Sequence, residues 1–94
     1  RIMMRLRGQL ICMTEDEAEA IRTHRPEHLR LTRAEPGCLT FEITDTDDPL
    51  IFEVMEAFRD AASFAAHQAR TRDSTWFAAT RGILRDFRME EIGD

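Results

Sequence analysis

The sequence predicts a single α+β domain with the element order β-α-β-β-α-β and a short extra helix before the last strand. Apolar residues alternate in four separate segments, capping residues precede each helical segment, and turn signals containing Pro bound the second strand on both sides. In the split βαβ, or ferredoxin-like, arrangement with this order, four strands form one antiparallel sheet. We therefore expect residues 1–94 to fold as one ferredoxin-like domain.

The first strand is predicted over residues 4–13. Leu6 and Leu10 fall on one side of this segment, whereas Arg5 and Arg7 fall on the other, as in a strand with one apolar face. We therefore expect the leucines to face the helices and the arginines to point away from them.

The first helix is predicted to begin after Thr14. Thr14 and Glu17 form a capping box, in which the Glu17 amide donates to the Thr14 hydroxyl and the Glu17 side chain reaches back. Pro26 lies inside the periodic segment that follows. Because proline lacks a backbone donor, Pro26 predicts either a kink or a split into two helices, the second running towards Arg33.

The second and third strands are predicted to pair as a hairpin. Pro36-Gly37 marks the turn before the second strand, and Asp47-Asp48-Pro49 follows it. One side of each strand is expected to face the core: Leu39, Phe41 and Ile43 in the second strand, and Phe52, Val54, Glu56 and Phe58 in the third.

The rest of the chain predicts two helices and a final strand. Asp60 caps an alanine-rich helix that ends near Arg70, and Asp73 caps a shorter helix that stops at Gly82. The last strand is predicted over residues 84–89.

Composition excludes several partners and chemistries. A net charge of −5 without a basic cluster argues against nucleic acid as a partner, and the absence of lysine excludes a lysine Schiff base. No apolar run approaches the roughly 20 residues that cross a bilayer, and no signal-peptide pattern is visible. We therefore expect a cytoplasmic protein with no membrane partner. Cys12 and Cys38 lack metal-site spacing and are expected to be small core residues.

The sheet face that points away from the helices is expected to be of mixed polarity. Arg5 and Arg7 in one copy could meet Glu42 and Glu53 in a second copy, which would give a self-complementary two-fold interface. This pattern predicts a homodimer that pairs through the sheet face. The alternative is an ordinary hydrated antiparallel sheet face.

Three segments carry a resemblance to a known family: EPGCLTFEI, DDPLIFEVMEAFRD and FAAHQ, in this order and at these intervals. Together they resemble the antibiotic biosynthesis monooxygenase family, which includes quinol monooxygenases, over nearly the whole chain. The resemblance depends most on Glu35-Pro36-Gly37-Cys38, Glu56, Phe58, Asp60 and His67.

The resemblance implies a ferredoxin-like subunit that pairs face to face into a dimeric α+β barrel, with a pocket between sheet and helices in each subunit. It also implies oxygenation of small aromatic or quinol substrates without metal, flavin or other cofactor, since the substrate itself supplies electrons to dioxygen. The chain departs from the family pattern in having Phe58 where Trp is favoured, and in having no Asn or Tyr to hold a polyphenol. Related haem-degrading members of the family carry a haem-binding histidine in the segment that matches Asp73 to Thr80. This chain has no histidine there, so the resemblance does not extend to haem oxygenation.

His67 is the candidate catalytic base, because the family pattern places a histidine on this helix. A base with a pKa near neutrality could accept the proton of a phenol or quinol and generate an electron-rich anion. The alternative is a buried structural histidine that bonds a nearby carbonyl or carboxylate.

Six further residues are candidates for a substrate pocket: His24, His28, Glu56, Phe58, Arg72 and Trp76. Each also has a structural interpretation, as a core residue, a paired carboxylate or a solvated arginine. His24 and His28 also match an H-x-x-E-H zinc motif, but Pro26 disrupts the register and no third ligand is evident, so no metal is expected.

The resemblance thus implies a cofactor-independent monooxygenase that oxidises a small quinol or phenol. The alternative is a binding or regulatory protein with the same fold, which would hold a small apolar metabolite without consuming oxygen.

Overall fold

The computed structural model describes residues 1–93, and its elements follow the predicted order. The strands are β1 (Ile2–Ile11), β2 (Cys38–Asp45), β3 (Ile51–Phe58) and β4 (Leu84–Gly93), and the helices are α1 (Glu15–Arg33), α2 (Ala61–Arg72) and α3 (Thr75–Thr80). All strand pairs are antiparallel, and the strands lie in the order β2-β3-β1-β4. The chain therefore has the expected ferredoxin-like α+β fold.

The core lies between the helices and one face of the sheet. It contains most of the apolar residues that the alternation assigned to this face, together with residues of each helix, including Leu6, Leu10, Phe41, Ile43, Phe52, Val54, Phe58, Ile21, Phe64 and Trp76. Cys12 is buried and Cys38 is half-buried, and both thiols are free. The two cysteines pack as small core residues, as expected.

Helix α1 begins at the predicted capping box. The Glu17 amide donates to Thr14 Oγ1 at 3.2 Å. The Glu17 carboxylate accepts from the Met13 amide at 2.7 Å, one residue before the position that a capping box usually binds. This box satisfies amides that have no partner within the helix.

Pro26 lies inside one continuous helix from Glu15 to Arg33, so the predicted alternative of two separate helices is wrong. Pro26 is exposed, and therefore the Arg22 carbonyl that loses its helical partner can bond to water. Burial of Ile21 before the proline and of His28 and Thr32 after it holds both halves against the rest of the fold.

Two local predictions are wrong. The β2–β3 register shifts between Cys38 and Thr40, so that Leu39 lies in a bulge and is exposed instead of facing the core with Phe41.

Helix α3 is capped by Ser74, whose Oγ accepts from the Phe77 amide at 3.1 Å, and Asp73 is instead the residue that ends α2. Asp60 caps α2 as predicted, through a 2.8 Å bond from the Ser63 amide.

The outer sheet face carries the predicted arginines, and both meet a carboxylate of their own chain. Arg5 and Arg7 lie 3.2 and 3.5 Å from Glu90 on the neighbouring strand β4. Glu42 pairs with Arg33 at 2.6 Å. Among residues 1–93, no helix is long and apolar enough to cross a membrane.

Candidate active site

A cavity of about 350 Å³ lies between the helix-facing side of the sheet and helices α1, α2 and α3. Its size is at the lower end of the range for small-molecule pockets. Five of the seven predicted site residues line it: His28, Glu56, His67, Arg72 and Trp76. Apolar and aromatic side chains form most of the remaining wall, among them Phe41, Ile43, Val54, Phe64, Phe77 and Phe87.

His67 is held in a defined orientation by Glu35. His67 is 5% exposed, and its Nδ1 lies 3.1 Å from Glu35 Oε1. Arg70 donates from Nε to the other oxygen of the same carboxylate and from Nη2 to Thr32. An ionised carboxylate can only accept hydrogen bonds, so His67 carries its proton on Nδ1 and leaves Nε2 unprotonated.

The environment of Nε2 suits a proton acceptor. Burial is the main cause that lowers the pKa of His67, while Glu35 opposes this shift and Arg70 adds to it. His67 is therefore neutral at pH 7. Nε2 lies 3.4 Å from Thr71 Oγ1 and 3.9 Å from Glu56 Oε1. The second distance is too long for a direct hydrogen bond.

Glu56 is a second titratable group in the cavity. It is 8% exposed on β3, and burial raises its pKa to about 7, with Glu35 adding to the rise and Arg85 opposing it. Within residues 1–93, its carboxylate accepts no hydrogen bond, and His67 Nε2 lies 3.9 Å from its Oε1. A carboxyl group that titrates near neutrality beside a neutral histidine is an arrangement typical of acid–base sites.

His28 and Trp76 contribute a stacked pair of rings to the wall of the cavity. Their rings are parallel, with centroids 4.7 Å apart, and Phe41 meets the His28 ring edge-on at 5.2 Å. Burial lowers the pKa of His28 to about 3, with further contributions from His67, Arg70 and Arg85. His28 is therefore an uncharged aromatic surface rather than an acid or base at neutral pH.

The structure does not bring Phe58 and His24 to this cavity. Phe58 is 1% exposed and packs against the His67 ring, with centroids 4.9 Å apart, so it supports His67 from behind. His24 lines a separate cavity of about 480 Å³ on the other side of His28 and Trp76. Glu27 of the H-x-x-E-H string binds Arg30 at 2.6 Å, and within residues 1–93 no group of three His, Cys, Asp or Glu side chains is arranged to hold a metal ion.

Sequence reasoning did not assign a role to two charged residues of the site, Glu35 and Arg85. Glu35 belongs to the Glu-Pro-Gly turn string, and nothing local in the sequence connects it with His67, 32 residues away. Arg85 and Phe87 are two residues apart on β4, so their side chains point to the same face of the sheet. The apolar Phe87 is therefore the signal in the sequence that Arg85 faces the helices.

A model of the antibiotic biosynthesis monooxygenase family matches residues 8–79. The chain belongs to this family. The matched segment includes Glu35, Glu56 and His67, whereas Arg85 lies outside it. No curated protein matches the sequence. Membership in the antibiotic biosynthesis monooxygenase family supports a monooxygenase-like function in general terms.

Solved structures with the same fold include a candidate antibiotic biosynthesis monooxygenase from Deinococcus radiodurans, with a TM-score of 0.79 and 21% identity over 97% of this chain and 93% of that chain. A candidate family member from Nitrosomonas europaea has a TM-score of 0.66 and 19% identity, covering 99% and 88% of the two chains. A Pseudomonas aeruginosa protein has a TM-score of 0.70 and 21% identity over 98% of this chain and 93% of that chain. At these identities the likeness establishes the fold of the family, and not a shared substrate.

Proposed function

We propose that this protein is a cofactor-independent monooxygenase that oxidises a small quinol or phenol with dioxygen. The observation that carries the proposal is the unprotonated Nε2 of His67, fixed by Glu35 and presented to a cavity with aromatic walls. A cavity of about 150 Å³ holds one benzene ring, so about 350 Å³ suits a compound of one or two rings.

In the proposed reaction, the substrate hydroxyl donates its proton to Nε2 of His67. The resulting anion is electron-rich and transfers electrons to dioxygen, after which one oxygen atom enters the ring and the other leaves as water. For a hydroquinone the products are a hydroxyquinone and one water molecule, so the substrate itself supplies all the electrons. Glu35 supports the step because the imidazolium that forms stays paired with its carboxylate.

Glu56 is the proposed proton donor for the oxygen atom that leaves as water. Its pKa of about 7 leaves a large fraction of the carboxyl group protonated at neutral pH. Nε2 of His67 and Oε1 of Glu56 are 3.9 Å apart, so the two groups can act on neighbouring oxygen atoms of one bound complex. His67 would then serve as the base for the substrate hydroxyl, and Glu56 as the acid for the oxygen atom of dioxygen that leaves as water.

The test is oxygen uptake with a panel of quinols. We expect His67→Ala to lower kcat by about 100-fold or more, since general-base catalysis contributes roughly that factor. Glu35→Gln should also lower kcat, because an amide oxygen stabilises the imidazolium less than a carboxylate. His24→Ala is the matched control, since it removes a histidine outside the cavity, and it should leave kcat unchanged.

Two results would contradict the oxygenase. One is full activity in His67→Ala. The other is thermal stabilisation of the wild-type protein by quinols without any oxygen consumption, which would identify the alternative small-molecule-binding protein.

The proposal includes a homodimer formed through the outer sheet faces. Arg7 and Glu53 both lie on this face, and Glu53 has no ion-pair partner in the described chain. An antiparallel arrangement of two sheets would place Arg7 of each copy near Glu53 of the other. The cytoplasmic location stays a prediction.

A further inference from the structure

Arg85 enters the cavity wall from β4 with one edge of its guanidinium group already occupied. Nη1 donates to the carbonyl oxygens of Thr80 and Ile83 at 2.9 and 3.0 Å, and Nη2 donates to Thr80 Oγ1 at 3.0 Å. These bonds hold the end-on edge of the group against the end of α3. The position of the guanidinium is therefore fixed by the protein itself.

The side-on edge of Arg85 is unoccupied. Nε has no acceptor among residues 1–93, and Nη2 has one bond for its two hydrogens. In the same residues, no carboxylate lies within 4.0 Å of the guanidinium nitrogens. The Nε and Nη2 donors of an arginine form a planar fork that matches the two oxygens of a carboxylate.

The charges around the cavity also favour an anion. Arg85 and Arg72 both line it, and Glu56 is the one carboxylate among the lining residues that the structure describes. Burial raises the pKa of Glu56 to about 7, so its negative charge is incomplete at neutral pH. The cavity is therefore net positive, although the whole chain has a net charge of −5.

A partly buried arginine with no carboxylate in direct contact is an unfavourable arrangement. Burial is the main cause that lowers the pKa of Arg85, and the charge of Glu56 opposes this shift only in part, so desolvation of the guanidinium is not fully compensated. An anionic ligand on the free edge would offset this desolvation, and the aromatic side chains that line the same cavity would contact its ring.

We propose that the cavity binds aromatic carboxylates, with the ligand carboxylate paired side-on to Nε and Nη2 of Arg85. This inference rests on the proposed function in using the same cavity, and it restricts the substrate class to hydroxylated aromatic acids. Neutral quinols would then bind more weakly than their carboxylated counterparts.

The test compares benzoate with benzamide, a neutral analogue of similar shape, by isothermal titration calorimetry at pH 7. Wild-type protein should bind benzoate about tenfold more tightly than benzamide or better. Arg85→Gln should abolish this preference, and Arg85→Lys should retain only part of it, because lysine keeps the charge without the fork. Arg88→Gln is the matched control, since Arg88 lies on the opposite face of β4 and should leave the preference intact.

Arg85 also holds Thr80, so circular dichroism must first establish that each variant is folded. If Arg85→Gln does not fold, the wild-type preference and the Arg85→Lys variant decide the matter. Equal binding of benzoate and benzamide by the wild-type protein, or an undiminished preference in Arg85→Gln, would overturn the proposal.

Oxygen uptake separates this inference from the oxygenase reaction. Oxygen consumption with a neutral hydroquinone together with no preference for benzoate would overturn the carboxylate site and retain the oxygenase. A preference for benzoate that Arg85→Gln abolishes, without oxygen uptake on any hydroxylated aromatic acid, would retain the carboxylate site and overturn the oxygenase.

Discussion

The pKa of the Glu56 carboxyl group is determined by its burial in the fold, and not by its neighbours in the sequence. Its neighbours on β3, Val54 and Phe58, are buried apolar residues, and the charged form of its carboxyl group loses hydration without gaining a hydrogen bond. The same burial acts in the opposite sense on His28 and His67, where it lowers the pKa. Burial thus favours the neutral forms of the carboxyl group and of both imidazoles in one cavity.

A stability measurement can isolate the cost of burying Glu56. Its pKa rises from 4.5 to about 7 on folding, so the folded state holds the proton more tightly, and the free energy of unfolding falls as pH rises through this window. Glu56→Gln keeps the shape of the neutral form and removes this loss. We expect the variant to gain stability relative to wild type between pH 5 and 8, by on the order of 3 kcal/mol at the upper end.

The pH profile of the variant must be compared with that of wild type, because His28 and His67 also make the free energy of unfolding depend on pH, with the opposite sign. Their lowered pKa values make the folded state lose stability as pH falls below about 6.5. Asp47→Asn is the control, since Asp47 is exposed in the turn between β2 and β3, away from the outer sheet face. Urea unfolding curves that show the same pH profile for Glu56→Gln and wild type would refute the raised pKa.

Helix α1 shows how packing overrides a local helix breaker. Pro26 removes the hydrogen bond to the Arg22 carbonyl in the middle of a 19-residue helix, yet the helix continues to Arg33. The buried stripe supplies the compensation, because Ile21 and His28 pack on either side of the proline. The helix is therefore stabilised by tertiary contacts more than by its own backbone.

Replacement of Pro26 by alanine should show how much this proline destabilises helix α1. Proline is about 3 kcal/mol less favourable than alanine inside a helix. Proline also restricts the unfolded chain, which stabilises the folded state by up to about 1 kcal/mol. We expect Pro26→Ala to raise the free energy of unfolding by about 2 kcal/mol in urea titrations. Thr23→Ala, an exposed change one turn earlier, should gain less than about 1 kcal/mol. Unchanged or lower stability of Pro26→Ala would contradict this account.

For the whole molecule, the subunit does not need a partner to complete its core. Its accessible surface of 5775 Å² is close to the roughly 5,600 Å² expected of a monomeric protein of 10.9 kDa. The proposed dimer would therefore be stabilised by complementarity of the outer sheet face. That face combines Arg7 and Glu53 with the exposed Met55 side chain.

Sedimentation equilibrium at micromolar concentration should give twice the subunit mass. Arg7→Glu should weaken the dimer by about tenfold or more, because it would bring two negative charges together, and the double variant Arg7→Glu/Glu53→Arg should restore it. Arg30→Glu makes the same charge change on the exposed surface of α1 and should have no effect. A wild-type monomer at this concentration would exclude pairing through the sheet face.

Patterns of short range in the sequence determined most of the fold. Alternation placed Phe52, Val54, Glu56 and Phe58 on the buried side of one strand, and the caps at Thr14 and Asp60 located two helix starts. These features are predictable because side-chain direction and end capping depend on residues a few positions apart. The bulge at Leu39 and the cap at Ser74 were missed because several local arrangements were available, and packing selected among them.

The candidate site depended on contacts that only the tertiary structure decided. The sequence singled out His67 and Glu56 by themselves, but the tautomer of His67 depends on Glu35, and the free edge of Arg85 depends on Thr80 holding the other edge. Residue type and strand parity are local properties, and the sequence determined them. Proton positions and pKa values depend on which charges lie within a few ångströms and how much water is excluded, and these are set only when distant segments pack together.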